Sequence, residues 1–156
     1  SAYQAIANGG EQVPLTLIEG CTKPDGTVVP RDNGAPEQIV TAESAKTTVG
    51  MLESVVTGGW LSAQLSIPGY RVAAKTGTAE VALPTGGYGN DYIVSVAGIA
   101  PAENPQYVVI VTYVKPHIMK SSAAAAPTFR KIMTQVLKTY RVPPSTTPGP
   151  GYPTTW

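Results

Sequence analysis

The chain has 156 residues and a formal net charge of +1, and charged residues make up only 13% of it. This length suits one domain or part of one, and the small charge provides no basic field for a nucleic-acid partner. With one cysteine, Cys21, and one histidine, His117, the chain can form no intrachain disulfide and presents no recognisable zinc cluster, so we expect no metal and no cofactor.

The first predicted elements are a short helix and a hairpin. Residues 2–7 favour a helix that ends at residues 8–10, Asn-Gly-Gly, because Asn and Gly tolerate the left-handed backbone that closes a helix. Residues 15–22 alternate loosely between apolar and polar side chains, as a strand does. A turn at residues 24–26, Pro-Asp-Gly, lets residues 27–29 return beside that strand.

Two longer helices are predicted from apolar side chains at helical spacing. Thr41 is the predicted N-cap of the first, which ends at Gly58 and Gly59. Its apolar stripe consists of Ala45, Val49, Leu52 and Val56. Pro127 suits the first turn of the second helix, which we expect to lie against the sheet. Its apolar face consists of Phe129, Ile132, Met133, Val136, Leu137 and Tyr140.

Three strands are predicted between these helices. They cover residues 70–78, 92–99 and 107–114, and residues 83–91 form an exposed connection between the first two. Because the connections are short, the strands should form an antiparallel meander, which makes the fold class α+β with helices packed on an antiparallel sheet. We expect the domain to span residues 1–142. Residues 143–156 are rich in Pro, Thr and Gly with little to pack, and we expect extended or disordered chain there.

The tetrapeptide from Lys75 to Thr78, Lys-Thr-Gly-Thr, carries the clearest chemical signal. A lysine ammonium and the hydroxyls of Thr76 and Thr78 can hold a carboxylate, and Gly77 lets a substrate backbone approach closely. Side chains alternate along a strand, so Lys75 and Gly77 face one way and the two threonines the other. If all of them serve one site, a twist or bulge at Gly77 is required.

Alone, the motif Lys-Thr-Gly is weak, since it arises by chance in roughly one of fifty chains of this length. An exposed strand end beside a turn would look the same. In penicillin-binding proteins and class A β-lactamases the motif accompanies Ser-x-x-Lys and a Ser-x-Asn element. Neither of those two motifs occurs in the 156 residues.

Four segments together resemble class B penicillin-binding proteins, the division-type peptidoglycan D,D-transpeptidases. They are IPGYRVAAKTGTAE at 67–80, AGIAPAENPQYVV at 97–109, AAAPTFRKIM at 124–133 and YQAIANGG at 3–10. Their order and spacing match that family from Tyr3 to about Tyr140. The chain departs from the family at Ala74, where Gly is usual.

The resemblance implies the C-terminal part of a penicillin-recognising serine transpeptidase fold, which is β-lactamase-like, with helices on both sides of the sheet. It implies catalytic roles for Lys75 and Thr78 and substrate binding by Thr76, Gly77 and Thr78. The nucleophile would lie on a missing segment or a separate chain. The implied partners are that N-terminal part with Ser-x-x-Lys and Ser-x-Asn, peptidoglycan stem peptides and β-lactams. The implied location is the outer face of the bacterial cytoplasmic membrane, with the anchor outside this chain.

Two other functions stay open at this point. A non-catalytic module could bind or sense a peptide or β-lactam at the same strand edge. A β-lactamase-like hydrolase could use the same fold. Labelling by a penicillin once the nucleophile segment is present separates the first from a transpeptidase, and sustained nitrocefin turnover would indicate the second.

Overall fold

The computed structural model describes residues 1–18 and 20–154. These residues form seven strands and four α-helices, with a 3₁₀ helix at Ser122–Ala124. In chain order they are α1 (Ala2–Ala7), β1 (Glu11–Gln12), β2 (Gly20–Thr22), β3 (Val28–Pro30), β4 (Glu37–Gln38), α2 (Ala42–Gly58), α3 (Ser62–Leu65), β5 (Ala73–Ala82), β6 (Tyr88–Ala100), β7 (Tyr107–Val114) and α4 (Ala126–Thr139).

The central sheet has three antiparallel strands in the order β5-β6-β7, which confirms the predicted meander. Two boundaries differ from the sequence prediction. Strand β5 begins at Ala73 rather than at residue 70, and β6 takes in residues 88–91, which the sequence assigned to a connection. The reason is that Gly86 and Gly87 both adopt positive φ and confine the turn to residues 83–87.

Helix α4 covers one face of this sheet, as predicted. The side chains of Phe129, Met133 and Leu137 are fully buried. A Cβ built on Gly98 would lie 2.4 Å from Phe129 Cζ, so the absence of a side chain there lets the ring approach β6 closely. Two members of the predicted apolar face, Ile132 and Tyr140, are instead 42% and 64% exposed, because the buried stripe is narrower than the sequence pattern.

Helices α1 and α2 cover the opposite face. Val49 of α2 joins Ala73 of β5 and Ile99 of β6 in a buried cluster, and Ile6 of α1 packs against it. Helix α2 has the predicted cap, since the Thr41 hydroxyl accepts a hydrogen bond from Ser44 N at 3.1 Å. The sheet therefore has helices on both sides.

The segment before α2 is built from two small sheets at the surface. Strand β2 pairs with β3 around the predicted turn, and β1 pairs with β4. The hairpin is shorter than predicted, because residues 15–18 form no strand, and Glu19 lies outside the described residues. In the turn, Asp25 accepts a hydrogen bond from Thr27 N at 2.9 Å, and this bond lowers the pKa of the Asp25 carboxyl.

Residues 143–154 contain no helix or strand, but they lie along α2. Ser145 N donates to Gly69 O at 2.9 Å, and the Thr147 hydroxyl accepts from Arg71 Nη1 at 3.2 Å. These contacts exceed the sequence expectation, which gave this segment little to pack against. Residues 155 and 156 lie outside the described residues.

Candidate active site at the open edge of strand β5

Strand β5 is an outer strand of the central sheet, and it carries the tetrapeptide from Lys75 to Thr78. It pairs with β6 without interruption from Ala73 opposite Ile99 to Glu80 opposite Tyr92. No other strand among the described residues pairs with its second edge. The tetrapeptide therefore lies on a strand whose outer side is open to another chain segment or to a ligand.

The register assigns each side chain of the tetrapeptide to a face. Lys75 and Gly77 lie on the face covered by α1 and α2, and Thr76 and Thr78 lie on the face covered by α4. Of the two alternatives predicted at Gly77, a twist or a bulge, the bulge is absent, because the only irregularity between β5 and β6 lies between Glu80 and Ala82. A regular ladder fits here because each residue has a partner directly opposite on β6.

The backbone resolves the apparent conflict between the two faces. The carbonyl oxygen of Ala73 lies 3.0 Å from a Cβ built on Gly98 of β6, so this carbonyl points toward β6. Carbonyl and amide directions alternate along a strand, so those of Thr76 and Thr78 point away from β6, to the open edge. In agreement, Lys75 Nζ donates to Thr76 O at 2.9 Å. All of these groups therefore border one edge although their side chains alternate.

Lys75 is an exposed cation at this edge. Within the described residues, no carboxylate lies within 4.0 Å of its Nζ, and its one hydrogen bond goes to the backbone. The ammonium is therefore free to attract an incoming anion. An edge with outward amides also suits an extended peptide, which could add as a further strand.

Ser95 is a site residue that the sequence prediction missed. It lies directly opposite Gly77 on β6, and its Oγ would be 2.7 Å from a Cβ built on Gly77. A side chain at position 77 would therefore crowd the neighbouring Ser95 hydroxyl, which is a reason for Gly77 within the chain itself. Ser95 could have been found from the register of the β5–β6 hairpin. That register can be derived only once the turn is known to be confined to residues 83–87.

The floor of the site is buried. Val94 and Val96 lie opposite Thr78 and Thr76 on β6, and both are fully buried. Val96 belongs to the core cluster that includes Phe129 of α4. The position of the two threonines is therefore tied to the packing of α4 on the sheet.

The weaker candidates from the sequence lie further along the hairpin. Glu80 is exposed on β5 opposite Tyr92, and Tyr88 is 68% exposed at the start of β6. At the same end of the sheet, near the start of β6 and just after β7, Lys115 Nζ lies 3.0 Å from Asp91 Oδ2, and this contact lowers the pKa of the Asp91 carboxyl. These groups form no carboxylate pair for acid–base catalysis.

The described residues offer neither a metal cluster nor a membrane-spanning helix. Residues 1–18 and 20–154 contain no cluster of three or more His, Cys, Asp or Glu side chains able to hold a metal ion. None of the helices described has both the length and the apolar character needed to cross a membrane.

Comparison with known proteins decides the family. Residues 1–134 match the family model of the penicillin binding protein transpeptidase domain. The chain belongs to this family. The resemblance inferred from the four sequence segments is thereby confirmed.

Members of the family include several similar curated proteins. Penicillin-binding protein PbpB of Mycolicibacterium smegmatis is 35% identical over an alignment of 159 positions. The alignment covers 95% of this chain and 24% of that protein. Peptidoglycan D,D-transpeptidase FtsI of Escherichia coli is 39% identical over 144 residues, which cover 91% of this chain and 23% of that protein. The chain thus spans about a quarter of the length of these relatives.

Solved structures confirm the fold. A crystal structure of penicillin binding protein 3 from Mycobacterium tuberculosis, complexed with ampicillin, matches with a TM-score of 0.83 and 35% identity, over 96% of this chain and 35% of that one. A peptidoglycan synthetase from Bifidobacterium adolescentis matches with a TM-score of 0.86 and 29% identity, over 99% of this chain and 28% of that one. The α+β transpeptidase fold predicted from the sequence is therefore confirmed.

Proposed function

We propose that the chain forms one wall of the active site of a peptidoglycan D,D-transpeptidase, which cross-links stem peptides by serine acyl transfer and is acylated by β-lactams. The observation that carries this proposal is the placement of Lys75, Thr76 and Thr78 along the open edge of β5, with two backbone amides directed outward. The family, the relative named as a D,D-transpeptidase and the related structure with ampicillin support it.

The nucleophile comes from outside these residues. Ser-x-x-Lys and Ser-x-Asn are absent from the 156 residues, so we propose that an N-terminal part of the same transpeptidase, or a separate chain, supplies both. That part would dock with its serine opposite the open edge of β5. The cleft would then have the nucleophile on one wall and the carboxylate receptor on the other.

Each residue of the edge has a distinct role in this proposal. The Lys75 ammonium supplies positive potential and supports the proton network, and the hydroxyls of Thr76 and Thr78 hold the carboxylate of the stem peptide or β-lactam. The outward amide of Thr78 donates one hydrogen bond to the oxyanion, and the amide of the nucleophilic serine donates the other. Gly77 leaves room for the substrate backbone.

The proposed reaction has two steps, acylation of the serine and transfer of the acyl group. The serine oxygen attacks the penultimate D-Ala carbonyl of one stem peptide, and the terminal D-Ala leaves with the serine proton on its amine. An amine of a second stem peptide attacks the acyl-enzyme, forms the cross-link and returns a proton as the serine is released. A β-lactam acylates the same serine, but its leaving amine stays tethered by the opened ring.

The location follows from the substrate. Peptidoglycan is assembled on the outer face of the bacterial cytoplasmic membrane, so we propose that the protein works there, held by an anchor outside this chain. The relatives named as a penicillin-binding protein and a peptidoglycan D,D-transpeptidase support this location.

The decisive experiment is acylation of the longer protein that carries both this chain and Ser-x-x-Lys. With Lys75→Ala, we expect labelling by a fluorescent penicillin to be abolished, because the charge that attracts the carboxylate is gone. The matched control is Lys131→Ala, which removes an exposed lysine from α4 and should leave labelling unchanged.

Two outcomes would count against the proposal. Undiminished labelling of Lys75→Ala would show that acylation does not depend on this edge. Reversible binding of the penicillin to the unaltered protein without any covalent adduct would indicate a binding or sensing module instead.

A further inference from the structure

The segment at residues 143–154, here called the C-terminal strap, is anchored at two places. It contacts the residues that lead into β5, and it lies on the surface of α2. The proposed function assigns no role to either contact.

The first anchor lies at residues 69–71, just before β5 begins at Ala73. Ser145 N donates to Gly69 O at 2.9 Å, and the Ser145 hydroxyl accepts from Arg71 N at 2.9 Å. The Tyr70 hydroxyl donates to the carbonyl of Val142, just before the strap, at 2.7 Å. The strap thus contacts residues 69 and 71, and Val142 contacts residue 70, all just before β5 begins at Ala73, while the outer edge of β5 itself stays open.

Arg71 connects this anchor to the core. Its Nε and Nη2 donate to the two carboxylate oxygens of Glu53 at 2.6 and 2.7 Å, and Glu53 on α2 is only 3% exposed. A buried carboxylate with one such partner is costly to leave unpaired. The remaining nitrogen, Nη1, donates to the Thr147 hydroxyl at 3.2 Å, so the strap completes the set of contacts around the guanidinium.

The second anchor depends on glycines of α2. A Cβ on Gly50 would lie 2.6 Å from Tyr152 Cε2 and 3.0 Å from Pro150 Cγ, and a Cβ on Gly58 would lie 3.1 Å from Thr154 Cγ2. Glycine within a helix is less favourable than alanine, so Gly50 is a poor choice for the helix alone. The close contact with Tyr152 and Pro150 gives a reason for it, which indicates that α2 is shaped to receive the strap.

We propose that the C-terminal strap is a positioning element for the active-site edge. By fixing Arg71, which lies two residues before β5 begins, the strap sets the position of that strand. Lys75 on β5 is only four residues after Arg71. Arg71 and Ser145 are then positioning residues, since neither borders the proposed substrate. This inference rests on the proposed function of the β5 edge.

The test uses two variants of the longer, acylating protein. Deletion of residues 143–154 removes the strap outright, and Gly50→Leu displaces Tyr152 while it raises the helix propensity of α2. Time courses of fluorescent-penicillin labelling are recorded well below the melting temperature. The amplitude reports the folded fraction, and the rate constant reports the geometry of the site.

We expect the labelling rate constant of both variants to fall about tenfold at full amplitude, because small displacements of a binding group lower reaction rates steeply. Met51→Leu, a neighbouring exposed position on α2, is the matched control and should label at the original rate. Ser145→Thr keeps the hydroxyl and should retain more of the rate than Ser145→Ala.

A reduced amplitude with the original rate constant would overturn the inference, because the strap would then affect folding alone. An unchanged time course would also overturn it, because the strap would then affect neither folding nor the site. Deletion and Gly50→Leu are judged by the same rule, so Gly50→Leu decides the matter if the deleted protein fails to fold. Lys75→Ala is measured in parallel. If that variant still labels, the proposed function fails; if it does not, only the role of the strap is at stake.

Discussion

At the level of single residues, the hydroxyl of Ser95 lies in the space that a side chain at Gly77 would occupy, and the proposed substrate approaches the same residue. Thermal or urea unfolding can separate these two demands. We expect Gly77→Ala to destabilise the protein by about 1–3 kcal/mol, the usual cost of an overpacked side chain. Adding Ser95→Ala removes the crowded oxygen and should restore most of that loss. A double variant as unstable as Gly77→Ala would show that Ser95 is not the cause.

The ion pair of Asp91 and Lys115 makes a second prediction for single residues. The hydrogen bond from Lys115 lowers the pKa of Asp91 below its ordinary value of 3.8, and Lys120 and His117 add weaker attraction. A lowered pKa in the folded state stabilises the fold above the unfolded pKa and loses that effect as the pH falls through the folded pKa.

Lys115→Met should therefore raise the pKa of Asp91 toward its ordinary value. A carboxyl NMR titration measures this directly, and Lys23→Met in the distant β2–β3 hairpin is the control. An Asp91 pKa that stays low in Lys115→Met would assign the shift to another group.

At the level of elements, the N-terminal cap of α2 has a measurable local effect. Removal of a threonine cap costs about 1 kcal/mol, so Thr41→Ala should open the first turn of α2 more often. We expect the Ser44 amide to exchange with solvent about fivefold faster, because 1 kcal/mol corresponds to about that ratio. Thr41→Ser keeps the accepting oxygen and should exchange at nearly the original rate. Equal exchange in all three proteins would show that the cap is replaced by water.

Most elements could be predicted from sequence because their signals are local. The cap at Thr41, the glycines after α1 and the β-branched run of β7 act within a few residues, and the structure has these elements where the sequence predicts them. The start of β6 and the pairing of Ser95 with Gly77 could not be predicted. They depend on how tightly residues 83–87 turn, which two positive-φ glycines determine and which composition alone leaves open.

The strap shows a second limit of sequence reasoning. Its composition of Pro, Thr and Gly is typical of chain that buries little, and no periodicity marks a contact with α2. Its anchors are single hydroxyls and glycines distant in sequence, such as Ser145 with Arg71 and Tyr152 with Gly50. Such contacts become visible only once the sheet and α2 are assembled.

At the level of the whole molecule, the 156 residues are proposed to be unable to react alone. We expect residues 1–156, expressed by themselves, to form no covalent adduct with a fluorescent penicillin, because they contain neither Ser-x-x-Lys nor Ser-x-Asn. Addition of the complementary part of the transpeptidase should restore labelling. The control is the same complement with its nucleophilic serine replaced by alanine.

The thermal stability of the chain should also depend on the complementary part of the transpeptidase. Ile110 and Val114 on β7 are 58% and 66% exposed, and the complementary part could cover them. We expect the isolated chain to melt at a lower temperature than the chain with its complement, by circular dichroism. A high, cooperative transition of the isolated chain, unchanged by the complement, would contradict this expectation.

The tight turn at residues 83–87 also offers a practical handle. Thr85 is exposed at its tip, and a Cβ built on Gly86 or Gly87 would have open space around it. Loop tips of this kind tolerate foreign groups well. With Cys21 changed to serine, a cysteine at position 85 would carry an environment-sensitive dye. Because the turn continues directly from β5, the fluorescence of the dye would report ligand binding at that strand.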